Sequence, residues 1–415
     1  MYIISMPRLL QICVEGNTGS TGTIAEAIGI MALNKQWESY IAYGRFPRPS
    51  QSKLIRIGSD LDTMLHGIET RLFDRHGLGS RKATRNLIKQ IEVIRPNVIH
   101  LHHLHGYYIN IVLLFEYLAN AGIPVVWTFH DCWSFTGHCA FFDFAGCDKW
   151  KSECDHCPQI REYPQSLLVD RSKKNFQRKK ELFTSVPQLT IVSVSRWLDE
   201  LVHQSFFSNT SHTFIYNGIN LETFKASEDM VATRQKYNVD GKFVILGVAT
   251  TWDRRKGLSD FIELSKRLRE NEQIILVGLS EIQKNELPDN IIGLSRTDSK
   301  QDLVELYSAS DVFLNLSEEE TFGLTTVEAM ACGTPVIVYN KTASPELVKP
   351  ETGIIIEKGN IDRLISAIKM IKQKGKKAYS LACIEHVHDN FDVNERFEEY
   401  FNLYDQMLSA RKLII

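Results

Sequence analysis

The chain has 415 residues, 43% hydrophobic and 24% charged, which is ordinary for a soluble protein with room for two full-sized domains and space for a third. A formal net charge of -2 argues against a dedicated nucleic-acid binder. The short apolar start is broken by Arg8, and no apolar run reaches the roughly 20 residues that span a bilayer. With eight cysteines, this predicts a reducing, cytoplasmic setting without a disulfide framework.

Arg8–Val14 reads as a first buried strand, followed by a glycine-rich loop with Gly16, Gly19 and Gly22 and a helix facing inward with Ile24, Ile28 and Met31. A dinucleotide fingerprint needs G-x-G-x-x-G and an acidic end to the second strand. The glycine spacing differs, and Ser39–Gly44 offers no such acid, which sets a nicotinamide dehydrogenase aside. Residues 60–95 are predicted mostly helical, with a basic face of Arg81, Lys82, Arg85 and Lys89. Val98–His105 is a strand running into a loop, with His100 and His102 on one face. A metal site is one reading. A polar lining where a parallel strand ends is the preferred one, because no carboxylate stands near these histidines in the chain.

Pro124–Asp131 is the next buried strand, ending in His130 and Asp131, with Asp131 expected to cap the following turn. An insertion then carries Cys139, Cys147, Cys154 and Cys157, spaced C-x7-C-x6-C-x2-C. These read either as a tetrahedral thiolate zinc site, structural because it is closed, or as four reduced thiols packed as small hydrophobes. A zinc would explain how a segment so poor in regular structure stays folded. Leu168–Phe183 interleaves Arg171, Lys173, Lys174, Arg178, Lys179 and Lys180 with Phe176, Leu182 and Phe183. That pattern suits either contact with anionic lipid or a plain solvated face.

Asn217-Gly218 is a turn suited to a hinge. A second βα alternation follows, with strands at Lys242–Ala249, Gln273–Gly278, Asn290–Leu294, Val312–Leu316, Pro335–Tyr339 and Gly353–Ile356, and a helical tail from Asp362 to Ser409. Within it, Val312–Leu316, the turn at Thr321, Phe322 and Gly323, and the helix from Leu324 place free N–H groups and a positive dipole end at the top of a sheet. Glu320 and Glu328 bracket that turn. Carboxylates beside an anion site suit the hydroxyls of a sugar or ribose attached to the anion, since each accepts two hydroxyl hydrogen bonds.

The Glu320-x7-Glu328 pattern, followed by Ala329-Met-Ala-Cys-Gly-Thr-Pro-Val336, resembles the donor-binding signature of retaining glycosyltransferases of family 4, the group 1 glycosyltransferases. With its cysteines, the chain resembles the subgroup found in bacterial surface-polysaccharide biosynthesis. The resemblance implies an α/β, GT-B architecture: two Rossmann-like doubly wound domains facing across a cleft, with a C-terminal helix crossing back. The expected boundaries are 1–212 for an acceptor-binding domain with its insertion at 132–160, 213–392 for a donor-binding domain, and 393–415 for the returning helix. The implied activity moves a sugar from a nucleotide-diphosphate donor, UDP-linked or alternatively GDP-linked, to a glycan or lipid-linked acceptor. No catalytic cofactor, no metal dependence and no nucleic-acid partner are implied, and peripheral membrane contact is.

By the same resemblance His130, Lys256 and Glu320 are catalytic, and Gly19, Ser20, Thr21 and His102 lie on the acceptor side. The glycine loop departs from the family's commonest double-glycine form. The donor would be held by Gly278, Arg296, Thr297, Phe322, Gly323, Leu324 and Glu328, with Arg296 and Thr297 near the base. The family's phosphate-binding arginine stands where this chain has Thr250, so Arg254 or Arg255 must take its place beside Lys256. A nucleotide-sugar epimerase of the same fold and a non-catalytic binding protein are the alternatives.

Overall fold

The computed structural model describes residues 6–412. The chain divides into two compact units, one running through Tyr216 and resuming at Phe397, the other Asn217–Arg396. In unit 1 the strands are β1 (Arg8–Glu15), β2 (Glu38–Arg45), β3 (Lys53–Arg56), β4 (Val98–Leu101), β5 (Val125–Phe129), β6 (Leu189–Ser193) and β7 (Ser211–Phe214). They form a seven-stranded sheet in the order β3-β2-β1-β4-β5-β6-β7. Unit 2 holds β8 (Phe243–Val248), β9 (Glu272–Val277), β10 (Ile291–Leu294), β11 (Val312–Asn315), β12 (Val336–Tyr339) and β13 (Gly353–Ile356), in the order β10-β9-β8-β11-β12-β13.

Every pairing in both sheets is parallel. Parallel strands need crossover helices on both faces, which is why the central strands are buried on both faces and mostly apolar rather than alternating. Leu9, Leu10, Ile12 and Cys13 of β1, all of β5, and Val244–Leu246 of β8 are buried, whereas edge strand β3 is half exposed. Strand order reverses between β1 and β4 in one sheet and between β8 and β11 in the other. At such a reversal the loops leaving the two strands turn to opposite faces and open a crevice at their carboxyl ends.

The unit boundary falls at Tyr216, beyond the expected 212/213, because β7 pairs with β6 along Ser211–Phe214 and ties that stretch to the first sheet. Residues 60–95 are mostly helical, in two helices, Asp60–Phe73 and Arg81–Ile94. The first is closed by Asp74 in the left-handed conformation. The tail likewise forms three helices, Ile361–Lys374, Lys377–Phe391 and Val393–Lys412.

In the last of these, Phe397, Tyr400, Phe401 and Tyr404 are buried at helical spacing within unit 1. Phe401 packs edge-on to Trp37 with ring centroids 5.7 Å apart. The Tyr404 hydroxyl lies 2.7 Å from His100 Nδ1, and Thr128 Oγ1 donates to the Tyr400 hydroxyl at 3.1 Å.

The insertion after β5 has only short 3-10 turns, at Trp133–Phe135, Asp143–Ala145 and Lys149–Lys151. Aromatic packing gives it a core of its own. Trp150 stacks on Phe142 at 4.8 Å and meets Phe135 at 5.3 Å, and all three rings are buried. Order in this segment therefore has an apolar source independent of any metal.

Tyr404→Ala should destabilise unit 1 by about 3–5 kcal/mol through loss of a fully buried ring. Tyr404→Phe should cost about 1–2 kcal/mol, the range for leaving a buried His100 nitrogen without its partner. Urea unfolding of both variants against the wild type checks the order, and equal midpoints for the two would contradict it.

Candidate active site

The reversal between β8 and β11 gathers the residues around Lys256 and Glu320. After β8 the chain makes a 3-10 turn, Arg254–Lys256, whose start is capped by Asp253 accepting from the Arg255 N–H at 2.9 Å. The same carboxylate holds the Arg255 guanidinium at 2.6 Å, while Arg254 is exposed. Gly257 then turns at φ +75°, where a side chain would strike the Leu316 carbonyl. This close approach lays the turn directly against the loop leaving β11. Glu318 N–H donates to the Arg255 carbonyl at 2.7 Å, fastening the two loops together.

Across that junction Lys256 Nζ and Glu320 Oε1 form an ion pair at 2.5 Å, with side chains 22% and 16% exposed. Two residues assigned separate roles from sequence are thus partners. Thr342 Oγ1 accepts from the Glu320 N–H at 2.9 Å and steadies its backbone. Gly323, at φ +105°, caps the helix Leu324–Ala331. Beneath it Asn315 donates to Thr326 Oγ1 at 2.9 Å and accepts from the Ser317 N–H at 3.2 Å, clamping the strand end to the helix start. Phe322 is buried against Phe391, so it is a packing anchor for the turn.

Glu328 accepts from the Tyr307 hydroxyl at 2.9 Å. Burial pushes its pKa up to about 7, with the Tyr307 hydrogen bond pulling the other way. The sequence offered no signal for Tyr307 or Thr342, which come from elsewhere in the chain. Gly278 follows β9 at φ +100°, and any Cβ there would overlap the Ala249 carbonyl, so only glycine fits. Arg296 and Thr297 lie on the loop after edge strand β10, and the Gly278 N–H donates to the Leu294 carbonyl at 2.9 Å beside them.

Unit 1 repeats the plan at its own reversal, between β1 and β4. Gly19 opens the helix Gly19–Asn34 at φ +61°, pressed against the Glu15 carboxylate, with Ser20 next in the same turn. Thr21 Oγ1 lies 3.2 Å from His103 Nδ1 on the loop after β4. His102 is only 1% exposed and engages both ring nitrogens: Nδ1 with His130 Nε2 at 3.2 Å, Nε2 with Gln11 Oε1 at 3.0 Å. It therefore orients His130 from behind. His100 stacks on His102 at 4.2 Å and is itself held by Tyr404 and Thr128. Burial, with neighbouring imidazoles, keeps His130 and His102 well below their ordinary pKa, so both rings are neutral at physiological pH.

His100 and His102 have Tyr404, Thr128, His130 and Gln11 as their partners, as a polar lining would, but the loop histidines His103 and His105 do meet a carboxylate. β4 and β5 are adjacent, so Asp131 comes down beside the loop after β4. Asp131 Oδ1 caps the following turn by accepting from the Trp133 N–H at 2.9 Å, as its position suggested. Its Oδ2 meets His105 Nε2 at 2.6 Å and His103 Nε2 at 3.3 Å. Burial works against ionisation here, but the two imidazoles hold the Asp131 carboxyl well below the usual range.

Cys139, Cys147, Cys154 and Cys157 line one small cavity together with His138 and Trp150. The Cys139 and Cys157 thiols hydrogen-bond to each other, and the Gly137 N–H donates to Cys154 Sγ at 3.2 Å. The basic stretch Arg171–Lys180 is not one uniform face. Lys179 is buried, donates to the Trp133 and Thr136 carbonyls at 2.6 and 3.1 Å, and is pushed down to about 7 by burial. Phe176 and Phe183 pack inward on Phe206, Phe207 and Phe115, so the interleaved aromatics belong to the core. Arg81, Lys82, Arg85 and Lys89 are exposed. Among the described residues, no helix is long and apolar enough to cross a membrane.

Two family models match different parts of the chain: Glycosyltransferase Family 4 over residues 41–223, and Glycosyl transferases group 1 over residues 229–382. The first match lies almost wholly in unit 1 and the second in unit 2, and the chain has the GT-B fold of the solved structures below. It is similar to the putative colanic acid biosynthesis glycosyl transferase WcaC of Escherichia coli K12, 24% identical over 96% of this chain and 100% of that one. It is 26% identical to N-acetyl-alpha-D-glucosaminyl L-malate synthase of Bacillus anthracis, over 54% of this chain and 61% of that one. Among solved structures, sucrose-phosphate synthase from Thermosynechococcus elongatus superposes with a TM-score of 0.69 at 17% identity, covering 97% of this chain and 100% of that one. The Anabaena protein HepE in complex with UDP-glucose superposes at 0.66 and 16% identity, over 97% and 99% of the two chains.

Glu328 gives a pH signature. Its folded pKa is raised, so the folded state holds that proton more tightly than the unfolded chain. The stability tied to it is complete below the ordinary carboxylate range and is lost as pH rises through about 7. Glu328→Gln should therefore lose less stability than the wild type between pH 5 and pH 8, by on the order of 1 kcal/mol. Urea midpoints at both pH values check this, and parallel profiles would contradict it.

Proposed function

We propose that the protein is a retaining glycosyltransferase that moves a sugar from a nucleotide-diphosphate donor to a glycan or lipid-linked acceptor in bacterial surface-polysaccharide assembly. The observation that carries this reading is the Lys256–Glu320 pair on two loops fastened together at the β8/β11 reversal, next to the helix that Gly323 opens. A cation and the N–H end of a helix suit a diphosphate, and a carboxylate beside them suits sugar hydroxyls. The similarity to WcaC across nearly the whole chain supports the polysaccharide setting, and the UDP-glucose named for HepE supports a UDP-linked donor, with GDP the alternative.

In this reading the acceptor oxygen bonds to the anomeric carbon on the face that the diphosphate leaves, and its proton passes to the departing phosphate oxygen. Retention then needs no covalent intermediate, and the protein supplies positioning and charge stabilisation. Lys256, with Arg254 or Arg255, holds the growing phosphate charge. Glu320 binds sugar hydroxyls and Glu328 ribose hydroxyls. Arg296 and Thr297 border the base, and Gly278 and Leu324 let the backbone approach the nucleotide. His130, in unit 1, offers a neutral imidazole to a hydroxyl, with Gly19, Ser20 and Thr21 nearby for the acceptor. No catalytic metal enters this scheme. The basic residues Arg81, Lys82, Arg85 and Lys89 suit peripheral contact with an anionic membrane surface at the cytoplasmic face.

Lys256→Ala should lower turnover by about 10²–10³, the scale for removing one charge-stabilising group, while Glu328→Ala should act mainly on donor affinity. A nucleotide-release assay over a donor panel, with the anomeric configuration of the product read by NMR, tests the whole reading. An inverted product, or full turnover in Lys256→Ala, would overturn it.

The cysteine set is also assigned a structural zinc, supported by four thiols around one cavity and the Gly137 N–H aimed at Cys154 sulfur. Elemental analysis of protein made in zinc-replete, reducing medium should find about one zinc fewer per chain in Cys154→Ser than in the wild type. Equal zinc in the two would remove the assignment.

A further inference from the structure

Two parallel neighbours, β4 and β5, end side by side, and the three residues that converge there are His103, His105 and Asp131. His103 and His105 stand two residues apart on the loop after β4, with ring centroids 4.4 Å from each other. Among the described residues, their Nε2 atoms and Asp131 Oδ2 form a group of three donors lying within 4.8 Å of one another.

The outer nitrogen of each ring is already taken. His103 Nδ1 is 3.2 Å from the Thr21 hydroxyl, and His105 Nδ1 is 2.8 Å from the Tyr163 hydroxyl. At 2.6 Å from the carboxylate His105 Nε2 carries its proton; a metal ion would replace that proton, and with each Nδ1–H then donating to its hydroxyl both Nε2 lone pairs would turn inward to the ion. An imidazole whose far nitrogen is fixed by a second residue is the usual setting of a metal-bound histidine. His103 Nε2 is buried and meets Asp131 Oδ2 at 3.3 Å without forming a hydrogen bond. Asp131 is equally fixed, since its other oxygen accepts from the Trp133 N–H at 2.9 Å.

We propose that His103, His105 and Asp131 bind a divalent transition-metal ion of the zinc type, at a site in unit 1 separate from the four cysteines. Two nitrogens and one carboxylate oxygen are a ligand set that zinc accepts. Donors about 2.1 Å from a tetrahedral centre stand roughly 3.4 Å apart. The 3.3 Å between His103 and Asp131 fits that spacing, and the 2.6 Å between His105 and Asp131 requires a small turn of the carboxylate. Three protein ligands leave a fourth position for water or another oxygen ligand. The ion fixes the loop after β4 beside His130, whose ring centroid lies 5.2 Å from that of His103.

The test is cobalt(II) titration of chelator-treated full-length protein, read by absorbance and calorimetry. Cobalt on the cysteines gives intense thiolate charge-transfer bands, and cobalt on the histidine site gives only weak d–d bands. In Cys139→Ser/Cys154→Ser protein one cobalt with d–d bands alone should remain, and adding His105→Ala should weaken it by at least about 100-fold. If the cysteine variant fails to fold, His103→Ala in the otherwise unchanged chain serves instead, because its side chain is 21% exposed and its loss should leave circular dichroism unchanged. That variant should bind one cobalt fewer than the wild type. Cobalt uptake that is the same with and without His103 and His105, or that shows thiolate bands only, would overturn the proposal. The cluster would then be a proton-bridged network in which Asp131 serves two imidazoles.

Discussion

Parallel pairing is the constraint on which the rest of this structure depends. Among the described residues, thirteen strands run in two sheets without an antiparallel neighbour, so every strand's carboxyl end emerges on the same edge of its sheet. Where strand order reverses, two loops part and leave a crevice. The candidate residues collect at those two reversals: Lys256 and Glu320 after β8 and β11, Thr21 in the first turn of the helix after β1, and His103 on the loop after β4.

Each crevice is stiffened by contacts that fix one loop against the other. In unit 2 the glycine at 257 lets backbone touch backbone, Arg255 and Glu318 share a hydrogen bond, and Asn315 clamps strand to helix through Thr326. In unit 1 the support runs in series through buried rings. Tyr404 of the last helix holds His100, His100 stacks on His102, and His102 bonds to His130. A C-terminal segment far away in sequence thus sets the orientation of the one histidine left partly exposed at the end of β5. Because these rings are buried without formal charge, their order depends on hydrogen-bond geometry and packing, and is insensitive to salt.

Electrostatics separate the two crevices. Unit 2 presents paired full charges at the surface, suited to exchanging one partner for an anion or a hydroxyl. Unit 1 presents the neutral imidazoles of His102 and His130 and the buried Asp131 carboxylate. The desolvation that keeps those imidazoles uncharged would make an unpaired Asp131 costly, so its two histidine contacts are as much a requirement of burial as a device.

By itself the sequence determined the βα alternation, the fold class and the strand–turn–helix unit that carries Glu320 and Glu328. Apolar runs mark strands buried on both faces, glycines mark turns that no other residue can make, and the Glu320-x7-Glu328 spacing is local to one strand–turn–helix unit. Contacts formed across the chain were decided only by the tertiary structure. Lys256 and Glu320 became partners, Tyr307 reached Glu328, and Asp131 joined His103 and His105 because β5 lies beside β4. Burial likewise took Lys179, Phe176 and Phe183 out of a stretch that looked uniformly basic and exposed. The physical reason is the same each time: periodicity and turn chemistry act over a few residues, while ion pairing, desolvation and metal-ligand geometry depend on which strand ends are neighbours.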